Sequence, residues 1–312
     1  MNLRPSENTQ LYGMNLFFNE IIDLYSKKKM PTKILLSGKK GLGKSTLAYH
    51  IINYILSINE DWKYDLDKFI INKENRSFKL LKNNTHPNFY LIDLLDNKKN
   101  IDVAQIREMI TYTNKSTFNN MPRFILIDNV ENLNKNSTNA LLKIIEEPNE
   151  NIFFILIGNN EEYILQTLKS RCLTFKINFT FTQSINVSNQ ILKENIFDLI
   201  NKDLINYYNT PGEIVNLINF TKEKSINLKD YTLISFLNLL IKDGYYKKNK
   251  FIKNLLIDFI ELFFLKEYKL SSKKKLFLKF YHSFINKIHN TKKFNLDEES
   301  LFLEFQSKLL NE

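Results

Sequence analysis

The residues with the clearest chemical potential form one short glycine-rich run. Its sequence, Gly38-Lys39-Lys40-Gly41-Leu42-Gly43-Lys44-Ser45, matches the pattern G-x-x-x-x-G-K-[ST], and Thr46 follows it. Glycines let the backbone N–H groups of such a loop turn toward phosphate oxygens, and a helix that starts at the loop adds a favourable dipole. In this pattern Lys44 reaches the β- and γ-phosphates of a nucleoside triphosphate, and the Ser45 hydroxyl binds Mg²⁺. The run therefore predicts a nucleotide-binding loop, with residues 38–46 as candidate ligands.

A second candidate site residue is Asp128, which ends the apolar run Phe124-Ile125-Leu126-Ile127. A carboxylate at the end of a neighbouring strand is the usual second protein group on the metal side of a bound nucleotide. Ser45 and Asp128 are therefore the predicted Mg²⁺ ligands. The next residue is Asn129, and an amide cannot accept a proton as a carboxylate does. General-base assistance, worth roughly 10²–10⁴ in rate, is expected to be missing, and Glu131 is not assigned to that role.

The elements that position these residues are predicted to form a parallel sheet covered by helices, because residues 1 to about 178 alternate β-rich runs with helical patterns. Near-continuous apolar runs, as expected of buried parallel strands, predict strands at Lys33–Ser37, Asn88–Leu94, Arg123–Asp128, Ile152–Ile157 and Leu173–Ile177. Helical patterns lie between them at 44–58, 102–116, 136–147 and 161–169. Asp102 is expected to cap the second of these helices, and Pro148 to end the third.

The remainder of the chain is predicted to be helical. Residues 182–225 form short helices around Thr210-Pro211-Gly212, and apolar residues recur at helical spacing from about 228 onward. The second pattern indicates a bundle of four or five helices. The predicted fold class is therefore α/β plus all-α, with a nucleotide-binding domain at 1–180, a small helical lid at 181–226 and a separate helical domain at 227–312.

Composition excludes several classes of protein. The chain has 312 residues, 43% of them hydrophobic, which is enough for two or three compact domains and not typical of a disordered chain. The formal net charge of +10 suggests an anionic partner such as nucleic acid, although a general preference for Lys accounts for part of it. A single cysteine, Cys172, excludes an internal disulfide and a four-thiolate zinc site. With no signal peptide or membrane-spanning run, a cytoplasmic location is expected.

Further motifs follow the glycine-rich run in an order that identifies a family. They are His86-Pro87, then Asp128-Asn129-Val130-Glu131-Asn132-Leu133, then Asn139-Ala140-Leu141-Leu142-Lys143-Ile144-Ile145-Glu146-Glu147-Pro148, and finally Ser170-Arg171-Cys172. In these motifs the chain resembles the delta-prime type of bacterial DNA polymerase III clamp-loader subunit, one of the AAA+ ATPases. The resemblance is detailed over residues 8–178 and architectural beyond. It implies a P-loop AAA+ core with a five-stranded parallel sheet, a helical lid and a C-terminal collar domain for oligomerisation.

The resemblance also implies a role for Arg171. In the family, the arginine of this motif reaches the γ-phosphate bound by a neighbouring ATPase subunit, where a rigid guanidinium stabilises charge on the phosphoryl oxygens. The alternative is an ordinary arginine that caps carbonyl groups at a helix end. Implied partners are the motor (gamma/tau) and delta subunits, the sliding clamp and primer–template DNA, with no membrane. The implied cofactor is ATP with Mg²⁺, without zinc.

Three departures separate the chain from motor subunits of the gamma/tau type. Asn129 replaces a glutamate, no cysteine occurs between residues 57 and 88, and Glu213 replaces an arginine after Thr210-Pro211-Gly212. The first sensor residue is left open between Gly158 and Asn159. These features favour a delta-prime-like subunit with weak or absent ATPase activity. The alternative is a catalytically active, DNA-stimulated AAA+ ATPase of the motor or replication-initiator type. A P-loop kinase would leave the Ser-Arg-Cys run unexplained.

Overall fold

The computed structural model describes residues 4–95, 98–115, 119–146, 149–159, 164–270, 274–294 and 299–310. The strands are β1 Lys33–Ser37, β2 Phe89–Ile92, β3 Arg123–Ile127, β4 Ile152–Gly158 and β5 Leu173–Lys176. The helices up to residue 223 are α1 Asn15–Ser26, α2 Lys44–Leu56, α3 Arg76–Lys82, α4 Val103–Thr113, α5 Lys135–Glu146, α6 Gln166–Lys169, α7 Phe181–Leu192, α8 Ile196–Leu199 and α9 Pro211–Glu223. The later helices are α10 Leu233–Lys242, α11 Tyr245–Lys248, α12 Lys250–Leu270, α13 Lys274–Phe294 and α14 Glu299–Phe305.

The five strands form one parallel sheet in the order β2-β3-β4-β1-β5, which confirms the predicted strands. Their register places the carboxyl ends of the strands at one edge. Ser37 of β1 pairs with Gly158 of β4, and Ile127 of β3 pairs with Ile92 of β2. The residues that follow β1, β2, β3 and β4 are therefore brought to the same edge of the sheet.

Both faces of the sheet are buried, because apolar side chains alternate between two helical layers. On one face, Ile34, Leu36, Phe124 and Leu126 pack in a core with residues of α1, α2 and α3. On the other face, Leu35, Ile125 and Ile127 pack in a core with residues of α4 and α5. Sheet and helices together hold the carboxyl edge of the sheet in place.

The helices that cover the sheet begin close to their predicted positions. Asp102 precedes α4 as its N-cap, and its backbone N–H donates to the Gln105 side-chain oxygen at 3.1 Å, which confirms the predicted start. Helix α5 is described up to Glu146, so the predicted stop at Pro148 lies outside the described residues. Helix α6 begins at Gln166, and residues 161–163 of its predicted range, 161–169, are likewise outside them. Helices α1 and α3 were not predicted.

The chain forms two compact units. Unit 1 comprises residues 1–193 and 210–216, and unit 2 comprises residues 194–209 and 217–312. Unit 2 is helical throughout its described elements, and its core is rich in phenylalanine: Phe236, Phe259, Phe263, Phe264, Phe302 and Phe305 are all buried. The division into three domains at residues 180 and 226 stays a prediction. Among the described residues, no helix combines the length and the apolar character needed to cross a membrane.

Candidate functional site

The glycine-rich run forms the loop between β1 and α2. Gly43 precedes α2 with φ +93°, and Gly41 has φ +87°, a left-handed conformation that side-chain-bearing residues rarely adopt. A Cβ on Gly41 would also lie 2.3 Å from the Thr210 hydroxyl oxygen. Glycine is therefore required at position 41 for both its conformation and its space, and the loop points its backbone into a cleft.

Lys44 is buried within this loop, with 3% of its surface exposed. Its ammonium group donates to the carbonyl oxygens of Gly38 and Lys39, each at 2.8 Å. Burial lowers the pKa of Lys44 to about 8, and the negative charges of Asp128 and Glu131 partly oppose this shift. A cation held in this way is matched to an anionic ligand such as a phosphate group.

The structure brings Ser45 and Asp128, the two predicted Mg²⁺ ligands, into contact. The Ser45 hydroxyl donates to an Asp128 carboxylate oxygen at 2.6 Å, across 83 residues of sequence. Burial raises the pKa of Asp128, while the hydrogen bond from Ser45 lowers it. A hydroxyl and a carboxylate oxygen side by side are the hard ligands that Mg²⁺ prefers, so these two residues fit a nucleotide-bound Mg²⁺. Among the described residues, no cluster of three or more His, Cys, Asp or Glu side chains is placed to hold a metal ion.

A cleft of about 380 Å³ opens over the loop within unit 1. One side is polar and is lined by Lys40, Gly41, Leu42, Gly43, Lys44, Ser45, Thr46, Asp128, Asn129 and Asn159. The other side is more apolar and includes Leu11, Tyr12, Val187, Ile191 and Val215. A polar end built around a lysine and an apolar end with an aromatic ring suit a nucleotide, whose phosphates are charged and whose flat base can stack its faces on apolar side chains. Gly38 and Lys39 belong to the loop but do not line the cleft.

The N-terminal segment beside the cleft is held by a buried histidine that was not predicted to take part. The Nε2 of His50 lies 3.1 Å from the backbone oxygen of Asn8, and its Nδ1 lies 2.8 Å from the Tyr64 hydroxyl. Since a carbonyl oxygen only accepts, Nε2 carries the proton and Nδ1 accepts from Tyr64. Asn8 lines the cleft, so His50 fixes one wall of it from α2.

The segment at residues 210–213 packs on the phosphate loop. The Thr210 hydroxyl donates to the Lys40 carbonyl oxygen at 3.0 Å, and the Gly212 N–H donates to the Gly41 carbonyl oxygen at 2.9 Å. The Glu213 carboxylate lies 3.4 Å from the Lys39 ammonium group and also accepts the Thr210 N–H. Glu213 therefore neutralises a loop lysine.

Asn129 lies at the centre of a polar network at the carboxyl edge of the sheet. Its amide nitrogen donates to Asp93 at 2.7 Å, and its amide oxygen accepts from the Asn159 side chain at 2.8 Å. The Asn159 N–H donates in turn to a Glu131 carboxylate oxygen at 3.1 Å. Of the two candidate sensor positions, Asn159 lines the cleft, whereas Gly158 is buried in β4.

Asp93 is the residue of this network that sequence reasoning missed. The signal was present, because Phe89-Tyr90-Leu91-Ile92-Asp93 repeats the pattern of four apolar residues and an aspartate that singled out Asp128. The predicted strand Asn88–Leu94 instead places Asp93 in its interior. The structure ends β2 at Ile92 and leaves the carboxylate at the sheet edge.

Arg171 lies apart from the cleft of its own chain and is not among the residues that line it. Its guanidinium forms an ion pair with Glu146 at 2.6 Å and donates to the Thr167 carbonyl oxygen at 2.9 Å. The second contact is the helix-end capping that the sequence left open as an alternative. The side chain is 36% exposed, so it remains accessible from outside the chain.

Comparisons with known proteins bear on the family of the chain. A family described as "DNA polymerase III, delta subunit" matches residues 14–180, more than half of the chain. DNA polymerase III subunit delta' of Buchnera aphidicola subsp. Schizaphis graminum (strain Sg) is 30% identical over 81% of this chain and 78% of that protein. Subunit gamma of the same organism is 32% identical over 73% of this chain and 63% of that protein.

A delta' subunit of a second organism also matches the chain. DNA polymerase III subunit delta' of Bacillus subtilis (strain 168) is 25% identical over 65% of this chain and 57% of that protein. Among solved structures, a gamma-subunit-related protein of Thermotoga maritima is 16% identical over 84% of this chain and 76% of that chain, with a TM-score of 0.40. The family match, together with the delta' relative at 30% identity over most of both chains, is decisive. The chain belongs to the delta-prime family of DNA polymerase III clamp-loader subunits.

Proposed function

We propose that this chain binds ATP and Mg²⁺ in the cleft of unit 1, cleaves ATP weakly or not at all, and donates Arg171 to the ATP of a neighbouring ATPase subunit. In this role it works with motor (gamma/tau) and delta subunits to load the sliding clamp onto primed DNA. The observation that carries the proposal is the amide at position 129. Among the described residues that line the cleft, Asp128 is the one carboxylate, and it is already engaged with Ser45.

The residues of the cleft suit binding. Lys44 would exchange its two carbonyl partners for phosphate oxygens, and Ser45 and Asp128 would hold Mg²⁺. When bound, Mg²⁺ neutralises phosphate charge. Asn129 and Asn159 present amide groups, which can orient a water molecule or a phosphate oxygen but cannot take a proton from water.

The surroundings of Arg171 suit a role outside its own chain. Its partner Glu146 is 50% exposed, and exposed ion pairs stabilise by only about 0–1 kcal/mol. The pair can therefore open when a more strongly charged phosphate is presented. The hydrogen bond to the Thr167 carbonyl oxygen would hold one terminal nitrogen of the guanidinium at the end of α6.

Arg171→Ala tests the trans role. In a complex with motor and delta subunits, we expect this variant to lower ATP turnover by roughly 10³-fold or more, the usual scale for an arginine finger. Nucleotide binding by the variant alone should not change, because Arg171 does not line the cleft. The matched control is Arg107→Ala, which removes an exposed arginine from α4. Turnover equal to that of the control would refute the role.

The second candidate function is a DNA-stimulated ATPase, favoured by the intact loop and by the similarity to a gamma subunit. Turnover measured on the purified chain with primed DNA separates the two functions. The first proposal expects ATP binding without turnover until motor subunits are added, and clamp loading that Lys44→Ala barely alters. Turnover by the chain alone that Lys44→Ala abolishes would establish the second.

A further inference from the structure

A groove of about 320 Å³ lies along helices α12 and α13 of unit 2. Most of the side chains that line it are aromatic or aliphatic, with one amide and one carboxylate among them: Asn206, Tyr208, Glu261, Leu262, Phe264, Leu265, Tyr268, Phe277, Leu278 and Tyr281. The groove shares no residue with the nucleotide cleft of unit 1. It is therefore a separate concave surface, which the proposed function does not use.

Several apolar residues of this groove are open to solvent. Leu265 is 42% exposed, Leu278 is 40% exposed and Tyr208 is 73% exposed. A single exposed apolar residue is ordinary on a protein surface. Exposed apolar residues that together line one concave surface are instead typical of a binding site.

The two helices give the groove a basic end. They run antiparallel, because Phe264 packs against Tyr281 with ring centres 5.7 Å apart, whereas the Lys274 ammonium group lies 5.6 Å from the centre of the Tyr268 ring. Lys269 follows Leu265 by four residues and Lys274 precedes Leu278 by four, so each lysine shares a helix face with a leucine of the groove. At the opposite end lies Glu261, and burial together with its charge raises the pKa of Tyr281.

The lysines around the basic end have no acidic partner in the part of the chain that the structure describes. This applies to Lys269, Lys274, Lys275 and Lys279, all of which are exposed. Their charge is therefore available to carboxylates from outside the chain.

Helix α14 shows which chemistry covers a neighbouring surface of the same two helices. Its Phe302 and Phe305 are buried, and the Phe305 ring packs against Phe264 with ring centres 5.8 Å apart. Its Glu304 carboxylate pairs with Lys287 of α13 at 2.6 Å. An acidic helix with aromatic anchors thus already packs against Phe264, and the groove, which Phe264 also lines, offers the same combination of aromatic rings and lysines.

We propose that this groove docks a single acidic, amphipathic helix of a separate protein. The apolar face of that helix lies on Leu265 and Leu278, and its carboxylates pair with Lys269 and Lys274. Its N-terminus points toward Glu261, because the positive end of a helix dipole is stabilised by a carboxylate. Glu261 and the aliphatic leucines also make the groove less suited to nucleic acid, whose phosphates the carboxylate repels. The docking surface is independent of nucleotide binding in unit 1.

The first test uses the full chain and a fluorescent peptide with the sequence of residues 296–310, an acidic segment that includes α14. We expect saturable binding, measured by fluorescence anisotropy. Leu278→Glu places a charge in the groove and should weaken binding at least ten-fold. Thermal unfolding of this variant should match that of the natural chain, because Leu278 is already partly exposed. The matched control is Leu16→Glu, which changes an exposed leucine of α1 and should leave peptide binding unchanged.

The second test concerns the charges. The double variant Lys269→Glu with Lys274→Glu should also bind the peptide at least ten-fold more weakly at low salt, and added salt should reduce the difference. A peptide whose carboxylate residues are replaced by lysine should show the reverse preference and bind the double variant more tightly than the natural chain. Lys29→Glu with Lys63→Glu, two exposed lysines of unit 1, is the matched control.

Several outcomes would overturn the proposal. No binding of the peptide would do so, as would equal affinity for the natural chain and Leu278→Glu, because the peptide would then bind elsewhere, for example in place of α14. Displacement of the peptide by an oligothymidylate would make nucleic acid the occupant. Displacement by motor or delta subunits, or a dimer that Leu278→Glu converts to a monomer, would make the groove a contact between subunits or between copies of this chain. Binding of an ATP analogue, measured on the same samples, reports separately on the cleft of unit 1, so failure of either conclusion is distinguishable from failure of the other.

Discussion

A buried imidazole and a buried ammonium group shape the cleft at the scale of single residues. His50 is fully buried yet keeps both ring nitrogens within hydrogen-bond distance of partners, and Lys44 is satisfied by two backbone oxygens. Polar groups in such positions are costly unless they are paired, so their partners fix the backbone around them. For His50 the fixed backbone is at Asn8, a wall of the cleft.

Acid should destabilise the protein through His50. Burial lowers the pKa of His50 from 6.5 to about 4, so in this range the unfolded chain binds a proton that the folded chain does not. The stability that neutral His50 contributes is complete above pH 6.5 and is lost as the pH falls toward 4. A difference of about 2.5 pH units corresponds to about 3 kcal/mol in the free energy of unfolding. Urea unfolding at pH 6.5, 5.5 and 4.5 measures this loss of unfolding free energy.

The control for this prediction is His50→Gln, whose amide can donate to the Asn8 oxygen without titrating. Its free energy of unfolding should fall less steeply over the same range than that of the natural chain. Burial lowers the pKa of His86 to about 4 as well, so some acid sensitivity should remain until His86→Gln is added. Equal slopes for the natural chain and His50→Gln would contradict the prediction.

At the scale of elements, the features that depend on local sequence pattern, above all the strands, could be predicted. The strands are continuous apolar runs because both faces of the sheet are buried. Four of them end within one residue of the predicted limits, whereas β2 ends at Ile92 and not at Leu94. The contact between Ser45 and Asp128 followed from the rule that parallel strands share a carboxyl edge. Asp93 ends β2 by the same pattern and would have been found by applying that rule to every strand.

Other parts of the site could not be predicted, because they depend on contacts between distant segments. Thr210 donates a hydrogen bond to Lys40 across 170 residues of sequence, and nothing in the sequence around either residue indicates the other as its partner. His50 occupies a helical position at which an apolar residue would be equally compatible with the pattern. The ion pair of Arg171 with Glu146 similarly depends on how α5 and α6 meet, which motif order does not specify.

The long-range contact between the start of α9 and the glycine-rich loop can be tested at Gly212. A Cβ on Gly212 would lie 2.8 Å from Gly41 Cα and 2.9 Å from Gly41 O, which are backbone atoms that cannot turn aside. We expect Gly212→Ala to shift the phosphate loop, to destabilise the protein by about 1–3 kcal/mol and to weaken nucleotide binding. Thermal unfolding and titration with an ATP analogue measure the two effects.

A matched variant for Gly212→Ala is Glu223→Ala at the exposed C-terminal end of the same helix. It should change neither property beyond about 0.5 kcal/mol, as is usual for exposed positions. If Gly212→Ala bound nucleotide as tightly as Glu223→Ala, the segment would not support the phosphate loop.

For the whole molecule, the distinctive feature is that unit 1 is discontinuous in sequence. Residues 210–216 belong to it although the preceding sixteen residues, 194–209, belong to unit 2. The chain therefore leaves unit 1 and returns to supply Pro211, Gly212, Val215 and Asn216 to its cleft. Ligand binding at such a cleft acts on parts of the chain that are far apart in sequence.

Hydrogen exchange with and without ATP and Mg²⁺ should reveal this discontinuity. A ligand that binds only the folded state stabilises that state by about 2.7 kcal/mol when its concentration is about 100 times its Kd. This stabilisation slows hydrogen exchange in the elements that must open before the ligand is released. We expect slower exchange at two separate segments, residues 38–56 and 210–216, because both lie at the cleft, and no change in α12 of unit 2. Lys44→Ala is the control that should show neither effect. Protection confined to residues 38–56 would mean that the returning segment packs on the loop without taking part in binding, whereas equal protection of α12 would mean that the two units respond to nucleotide as one.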